Sequence, residues 1–327
     1  MNSSTTTQPR PSEKTVVEKG FSLWADAYVR LKKNKLAMLG GIVVLSILSS
    51  CFILGPILGW MGHSANNQDL ANRFAAPLSS GLFGTDQLGR DLLMRVLEGG
   101  QISLLVAIMA TVLTVTIGII YGGIAGYVGG RTGNIMMRIV DGLLAMPFLI
   151  IVILFRELIS GQVDKIAKFL INDWGFDTDF ILRFANLVPL TLAIAGFGWL
   201  TMGRIVRTSA ASLTKQEFVE AARSLGLSHA RILFRHILPN MLGPVIIYAT
   251  LTIPSFILYE ATLSFIGLGI EPPNSSWGTL IKEGANYLET ETTVLLIPAI
   301  FFSITLFAFN FLGDGLRDAL DPKASKD

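Results

Sequence analysis

The chain has 327 residues, 51% of them apolar and only 15% charged, with a mean hydropathy of +0.56. Soluble domains carry about 25% charged residues. The deficit here is uneven, with ten charges in residues 1–35 and none in residues 36–68. These figures disfavour a soluble enzyme, a disordered chain and a disulfide-stapled secreted domain, and they predict an all-α polytopic membrane protein. The net charge of +2 discriminates little. The single cysteine, Cys51, lies inside the first apolar run, where a small packing side chain is expected rather than a disulfide or a zinc ligand.

Residues 1–35 read as a polar tail. No cleavable signal is expected, because the first apolar run begins only at Leu36, exceeds the roughly 7–15 residues of a signal core and lacks an A-x-A site. Spanning the hydrocarbon core takes about 20 apolar residues as helix. Six runs qualify: 36–58, 102–124, 135–154, 187–206, 241–265 and 294–312. They are continuous rather than alternating, which favours helices over a β-barrel. In the second run and just beyond it, Gly122, Gly126 and Gly130 have the spacing that lets helices approach closely.

Charged residues inside spans are functional candidates by default. Arg138 and Asp141 interrupt the third run three residues apart, a spacing that permits a local ion pair. Glu260 and its neighbour Tyr259 lie deep in the fifth. A carboxyl there faces protein or water, so Glu260 either lines a pathway or satisfies a helix break near Pro254. All four are pathway candidates. With both termini placed in the cytoplasm, 18 of the 26 basic residues fall on that side, which supports an N-in, C-in topology. The outer segments 59–101, 155–186 and 267–293 carry aromatic and aliphatic anchors and are expected to be ordered caps, the middle one with a short helix over 163–171.

The inner segment 208–240 is unlike the rest. Thr214 and Glu217 have capping-box spacing. Phe218, Ala221, Ala222 and Leu225 then recur as one helix face, and Gly226 ends the helix. Ser228 caps a second helix over 229–238 that Pro239 stops. Two readings follow. One is a basic amphipathic hairpin resting on anionic lipid through Arg223, Arg231 and Arg235. The other is a knob for a cytoplasmic partner, since Ala221, Ala222 and Gly226 suit insertion into a groove.

Glu220-Ala221-Ala222, then Gly226 and Leu238-Pro239, resemble the EAA loop of the membrane subunits of ABC importers. Further strings resemble the peptide branch of that family. They are Phe83-Gly84-Thr85-Asp86, Gly89-Arg90-Asp91, Ile102-Ser103-Leu104, Leu263-Ser264-Phe265-Ile266-Gly267, Ser276-Trp277-Gly278 and Phe309-Asn310-Phe311-Leu312-Gly313-Asp314. The closing string is similar to that of C-type permeases of oligopeptide importers, within the binding-protein-dependent peptide and nickel permease family. The likeness covers roughly residues 20–323.

It implies the six-helix type I importer fold in the bacterial inner membrane. The division is a tail at 1–35, a first span and outer loop at 36–101, a core at 102–320 containing the 208–240 loop, and a tail at 321–327. Residues 156–184 stand out as a charged outer insertion. The resemblance further implies a homologous B-type permease, two cytoplasmic ATPases and an extracytoplasmic peptide-binding protein as partners, with membrane lipid around them and no nucleic acid. ATP and magnesium are expected on the ATPases and no cofactor on this chain, which lacks a G-x-x-x-x-G-K-[ST] loop. The coupling residues implied are Phe218, Glu220, Ala221, Ala222, Arg223, Leu225 and Gly226, with Glu220 pairing to a basic residue of the ATPase. No catalytic or metal site is expected: His229 and His236, seven apart, lack a carboxylate or cysteine to complete a metal set. Permeases for dipeptides, nickel or another small solute are the alternative within the family. An intramembrane enzyme or receptor is the alternative outside it.

Overall fold

The computed structural model describes residues 23–272 and 274–320, so the tail expected at 321–327 and the first 22 residues of the one expected at 1–35 lie outside the described residues. Among the described residues there is no β-strand, only one isolated bridge between Thr85 and Asp91. Part of the expected N-terminal tail is helical: α1 (Leu23–Lys33) packs against the last span. Asn34 accepts a hydrogen bond from the Ala37 amide and starts α2 (Lys35–Ser49). The first crossing continues through a π-turn, Ser50–Leu54, into α3 (Gly55–Trp60). The widened turn leaves the Cys51 carbonyl to accept from Gln101 Nε2 at 2.5 Å.

The central helix is α4 (Leu92–Val128), started by the Asp91 side chain on the Met94 amide. At about 1.5 Å per residue its 37 residues exceed a hydrocarbon core of about 30 Å, so it projects beyond it. Next come α5 (Gly130–Leu144) and α6 (Phe148–Asn172), which meet at an angle of 93°. The expected straight third span over 135–154 is therefore a broken one. Pro147 supplies no amide and disfavours helix at Met146, which stops α5.

After the break, α6 runs without interruption through the segment expected to hold only a short helix at 163–171. Residues 173–177 turn the chain into α7 (Thr178–Leu213), capped by Asp177. The charged outer segment is thus a helical hairpin made by extending two spans. Val163, Ala167 and Leu170 line one side of an apolar seam, and Ile181, Ala185 and Val188 the other. Arg156 ties the hairpin base to the Gly269 carbonyl at 3.1 Å and Glu271 at 3.0 Å.

Three short helices follow: α8 (Glu217–Ser224), α9 (His229–Ile232) and α10 (Leu238–Asn240). The fifth crossing is α11 (Leu242–Phe265). Then α12 (Trp277–Ala285) lies outside the spans, and α13 (Thr292–Leu320) crosses last. The five continuous crossings and the broken one give the six expected.

Close packing of α4 on α7 organises the bundle. A Cβ on Gly118, Gly122 or Gly126 would overlap Met202, the Gly203 carbonyl or the Arg207 carbonyl. The small-residue repeat is therefore shifted one turn from the expected one. Gly130 faces open space at φ +55° and begins α5 instead.

The segment before α4 is held by charge as well as by apolar anchors. Asp86 is fully buried and accepts from the Leu88 and Arg90 amides, from Arg90 Nε at 2.7 Å and from Arg95 at 2.8 Å. Arg95 also reaches Glu283 of α12 at 2.6 Å, and Gln87 donates to the same carboxylate at 2.8 Å. Burial alone would raise the Glu283 carboxyl. The Arg95 hydrogen bond and charge, helped by Gln87 and Arg90, hold it below its ordinary value of 4.5. A depressed carboxyl stabilises the fold above its unfolded pKa, and that contribution is lost as pH falls through the folded value.

Two predictions arise here. Gly122→Ala is expected to lower the thermal unfolding temperature in detergent, overpacking costing about 1–3 kcal/mol. Gly142→Ala, in open space within α5, is expected to leave it unchanged or raise it. Glu283→Gln is expected to destabilise at pH 7, with the gap to wild type closing below pH 4.5. A gap constant with pH contradicts the assignment.

Candidate functional site

The coupling segment is built from the end of α7 outward. Thr214 does not open the capping box expected with Glu217. It closes α7, its amide bonding the Ala210 carbonyl and its hydroxyl the Ala211 carbonyl. α8 starts instead from the backbone of Gln216, whose φ and ψ are extended. Its end matches the expectation for Gly226, which has φ +75°. The Gly226 amide donates to the Arg223 carbonyl at 2.9 Å, and the Leu227 amide to the Ala222 carbonyl at 3.2 Å. This crossed pair is the glycine-dependent helix stop that gives the chain its elbow.

Ser228 caps α9, as expected, by accepting from the Arg231 amide. The second arm is not one helix over 229–238. A π-turn, Leu233–Ile237, widens it, and Pro239 falls in the first turn of α10 rather than stopping the arm.

The face expected from Phe218, Ala221, Ala222 and Leu225 divides in the structure. Val219 and Ala222 point inward, onto a cluster with Met202, Val206, Ala210, Ile232, Ile237 and Met241. Phe218, Ala221 and Leu225 share the opposite face and are exposed, Leu225 by 81%. Glu220 and Gly226 are exposed as well. Arg223 turns back to its own chain, its guanidinium 5.7 Å from the centre of the Tyr127 ring. The seven candidates therefore split. Ala222 and Arg223 fasten the helix, and Phe218, Glu220, Ala221, Leu225 and Gly226 form the surface it presents. The placement of three apolar residues on an unpartnered face, above a packed base, makes a rigid knob.

The four pathway candidates also separate. The pair expected between Arg138 and Asp141 is replaced. Asp141 takes Arg204 of α7, at 2.6 Å and 3.1 Å, across an exposed contact, and Arg138 is exposed on α5. Tyr259 lines a cavity of about 390 Å³ at the α5–α6 break, with Phe148, Phe197, Thr201, Tyr248 and Ser255. Glu260 does not line it and satisfies no break at Pro254. It is fully buried, accepting from Ser103 Oγ and Ser264 Oγ at 2.7 Å each. Ser103 in turn accepts from the Trp277 amide at 3.2 Å, and Ser264 from the Ile270 amide at 3.3 Å. Glu260 is a structural knot between α4, α11 and α12.

Sequence reasoning missed Phe148, Tyr248 and Ser255 as cavity residues. The signal was present in α11: Tyr248, Thr252, Ser255 and Tyr259 fall on one face of an otherwise apolar helix.

A bent bundle of membrane-length helices with such a knob defines a polytopic helical membrane protein. Residues 118–326 match the family described as binding-protein-dependent transport system inner membrane component, and residues 22–77 match the N-terminal TM domain of oligopeptide transport permease C. The chain is 44% identical over 314 residues to the oligopeptide transport system permease protein OppC of Escherichia coli (strain K12), covering 95% of each. It is 43% identical over 307 residues to the protein of that name from Haemophilus influenzae, covering 93% of this chain and 90% of the relative. It is 40% identical over 310 residues to the dipeptide transport system permease protein DppC of Bacillus subtilis (strain 168), covering 94% and 88%. The chain belongs to the binding-protein-dependent transport system inner membrane component family. It is a multi-pass inner-membrane permease of the ABC-importer class.

Removing the Glu260 carboxyl strands buried hydroxyls and is expected to cost about 1–3 kcal/mol. Glu260→Ala is therefore expected to lower the unfolding temperature in detergent, while Ser255→Ala in the cavity wall leaves it unchanged. Equal stability of the two variants contradicts the knot.

Proposed function

We propose that this chain is the permease subunit of an ATP-driven importer of oligopeptides. With a homologous B-type permease it forms the translocation pathway, and an extracytoplasmic binding protein delivers the peptide. ATP and magnesium bind two cytoplasmic ATPase subunits, and this chain carries no ATPase site of its own. The observation that carries the reading is the exposed face of α8, where Phe218, Ala221 and Leu225 stand on a buried base. An apolar face that meets neither lipid-spanning helix nor core calls for a groove in a partner. Closure of the ATPase pair moves that groove, and the packed base passes the motion into α7. Glu220, at the edge of the face, pairs with a basic residue of the ATPase.

The distribution of basic residues supports both termini, and so α8, on the cytoplasmic side. The cavity at the α5–α6 break is the segment of the pathway this chain contributes. Its mixed aromatic and hydroxyl wall suits passage of varied sequences, because it offers hydrogen bonds to peptide backbone without a charge to select a side chain. Likeness to oligopeptide permeases from several bacteria at 40–44% identity supports oligopeptides over dipeptides, nickel or another small solute.

Two measurements test this. Affinity purification in mild detergent is expected to bring down a second permease and two ATPases, and recovery of the chain alone argues against the assembly. Gly226→Pro cannot adopt φ +75°. It and Glu220→Lys are each expected to abolish uptake of labelled oligopeptide while the chain still inserts. Wild-type uptake in either variant sinks the coupling assignment.

A further inference from the structure

Between α8, α9 and the end of α4 lies a groove of about 570 Å³ that the transport reading does not use. Ile124 and Val128 of α4 and Leu233 and Phe234 beyond α9 form its apolar walls, and Tyr127, Arg223 and His229 form its polar rim. The rim is preorganised. The Tyr127 hydroxyl lies 2.7 Å from His229 Nδ1, and the Arg223 guanidinium lies over the Tyr127 ring. The contact engages Nδ1 of His229 and leaves Nε2 as the ring nitrogen not bonded to Tyr127. No carboxylate lines the groove, and among the described residues none forms an ion pair with Arg223. The site therefore offers positive charge and hydrogen-bond donors above an apolar floor.

The floor continues into the span. Ile117, Ile120, Ile124 and Val128 lie on one face of α4, and all four are exposed. From Ile117 to Val128 the rise is about 16 Å, close to half of a hydrocarbon core of about 30 Å. The stripe thus has the length of one leaflet and ends at the cationic rim. We propose that this groove is a binding site for a single anionic phospholipid. Its phosphate sits between Arg223 and His229, and an acyl chain runs along the α4 stripe. Charge complementarity and the one-leaflet length select this occupant, because a soluble anion has no use for the stripe and a zwitterionic lipid gains little from the rim. Bound there, the lipid fastens the inward face of α8 to α4 through Arg223.

The test uses the intact importer in nanodiscs of equal phosphatidylglycerol and phosphatidylcholine. A photo-crosslinking residue replaces Phe234, or in a second preparation Ile124, and a reference probe replaces the exposed Leu45 of α2. Adducts are read by mass spectrometry. The expected result is enrichment of phosphatidylglycerol over phosphatidylcholine at the groove by about fivefold relative to Leu45, the factor one cation near an anionic headgroup contributes. Arg223→Gln is expected to remove the enrichment, and Arg231→Gln, whose side chain does not line the groove, to leave it. The same ratio at the groove and at Leu45, an equal loss in both arginine variants, or an adduct to another polypeptide overturns the proposal. None of these readings depends on peptide uptake, so failure here leaves the transport assignment standing, and the reverse.

Discussion

A carboxyl group in a place without water takes its hydrogen bonds from the chain, and Glu260 takes them from Ser103 and Ser264. Much of the outer half of the molecule depends on that arrangement. Ser103 is held in register with the Trp277 amide, which seats α12 against α4. The Trp277 indole then fits over Gly100, where any side chain would collide with it, and donates to the Val96 carbonyl at 3.0 Å. With α12 seated, Glu283 meets Arg95, and Arg95 meets Asp86. A loop remote from the spans is thereby tied to a carboxyl in the last two turns of α11. Each group in the chain is satisfied only when its neighbour is in place, which makes the outer cap cooperative rather than a set of separate contacts.

This geometry gives physical content to strings that in the sequence were only a resemblance. Asp86, Arg90, Ser103, Ser264, Ser276 and Trp277 all stand in motif segments, and the fold gathers them into two adjoining polar clusters. Their spacing along the chain gave no hint of it, because the partners are separated by more than 150 residues in the longest cases. Local signals were legible. The apolar runs located the crossings, Gly226 located the elbow and Ser228 the start of α9. In each of these the determining interactions lie within a few residues.

What failed to show in the sequence was decided at a distance or by a single local competitor. The third crossing reads as one apolar run, yet Pro147 breaks it, and apolarity alone does not report the direction of a helix. The outer segment reads as a charged cap, but Val163, Ala167 and Leu170 zip onto α7 and prolong both helices. Asp141 had a basic residue three positions away and chose Arg204 from another helix. Thr214 fitted a capping box, but the end of α7 claimed it first. On α8, Ala222 reads as part of one face with Phe218, Ala221 and Leu225, but the cluster at the end of α7 takes it inward with Val219 and leaves the other three exposed.

α7 has one more consequence. It is a single helix of 36 residues that forms one arm of the outer hairpin and ends three residues before Gln216, from which α8 starts. At about 1.5 Å per residue it is a rod of about 54 Å, and a tilt of about 5° about a pivot in its last third swings the outer end by roughly 4 Å and the inner end by roughly 1 Å in the opposite direction. Residues 202–211, in its last third, are pinned by the glycine face of α4, where the backbones touch and sliding is blocked. The pinned crossing is thus a fulcrum, and the two faces of the membrane sit at opposite ends of one beam. A load placed on the hairpin is felt at the knob without any intervening relay, and the stiffness of that beam sets how faithfully.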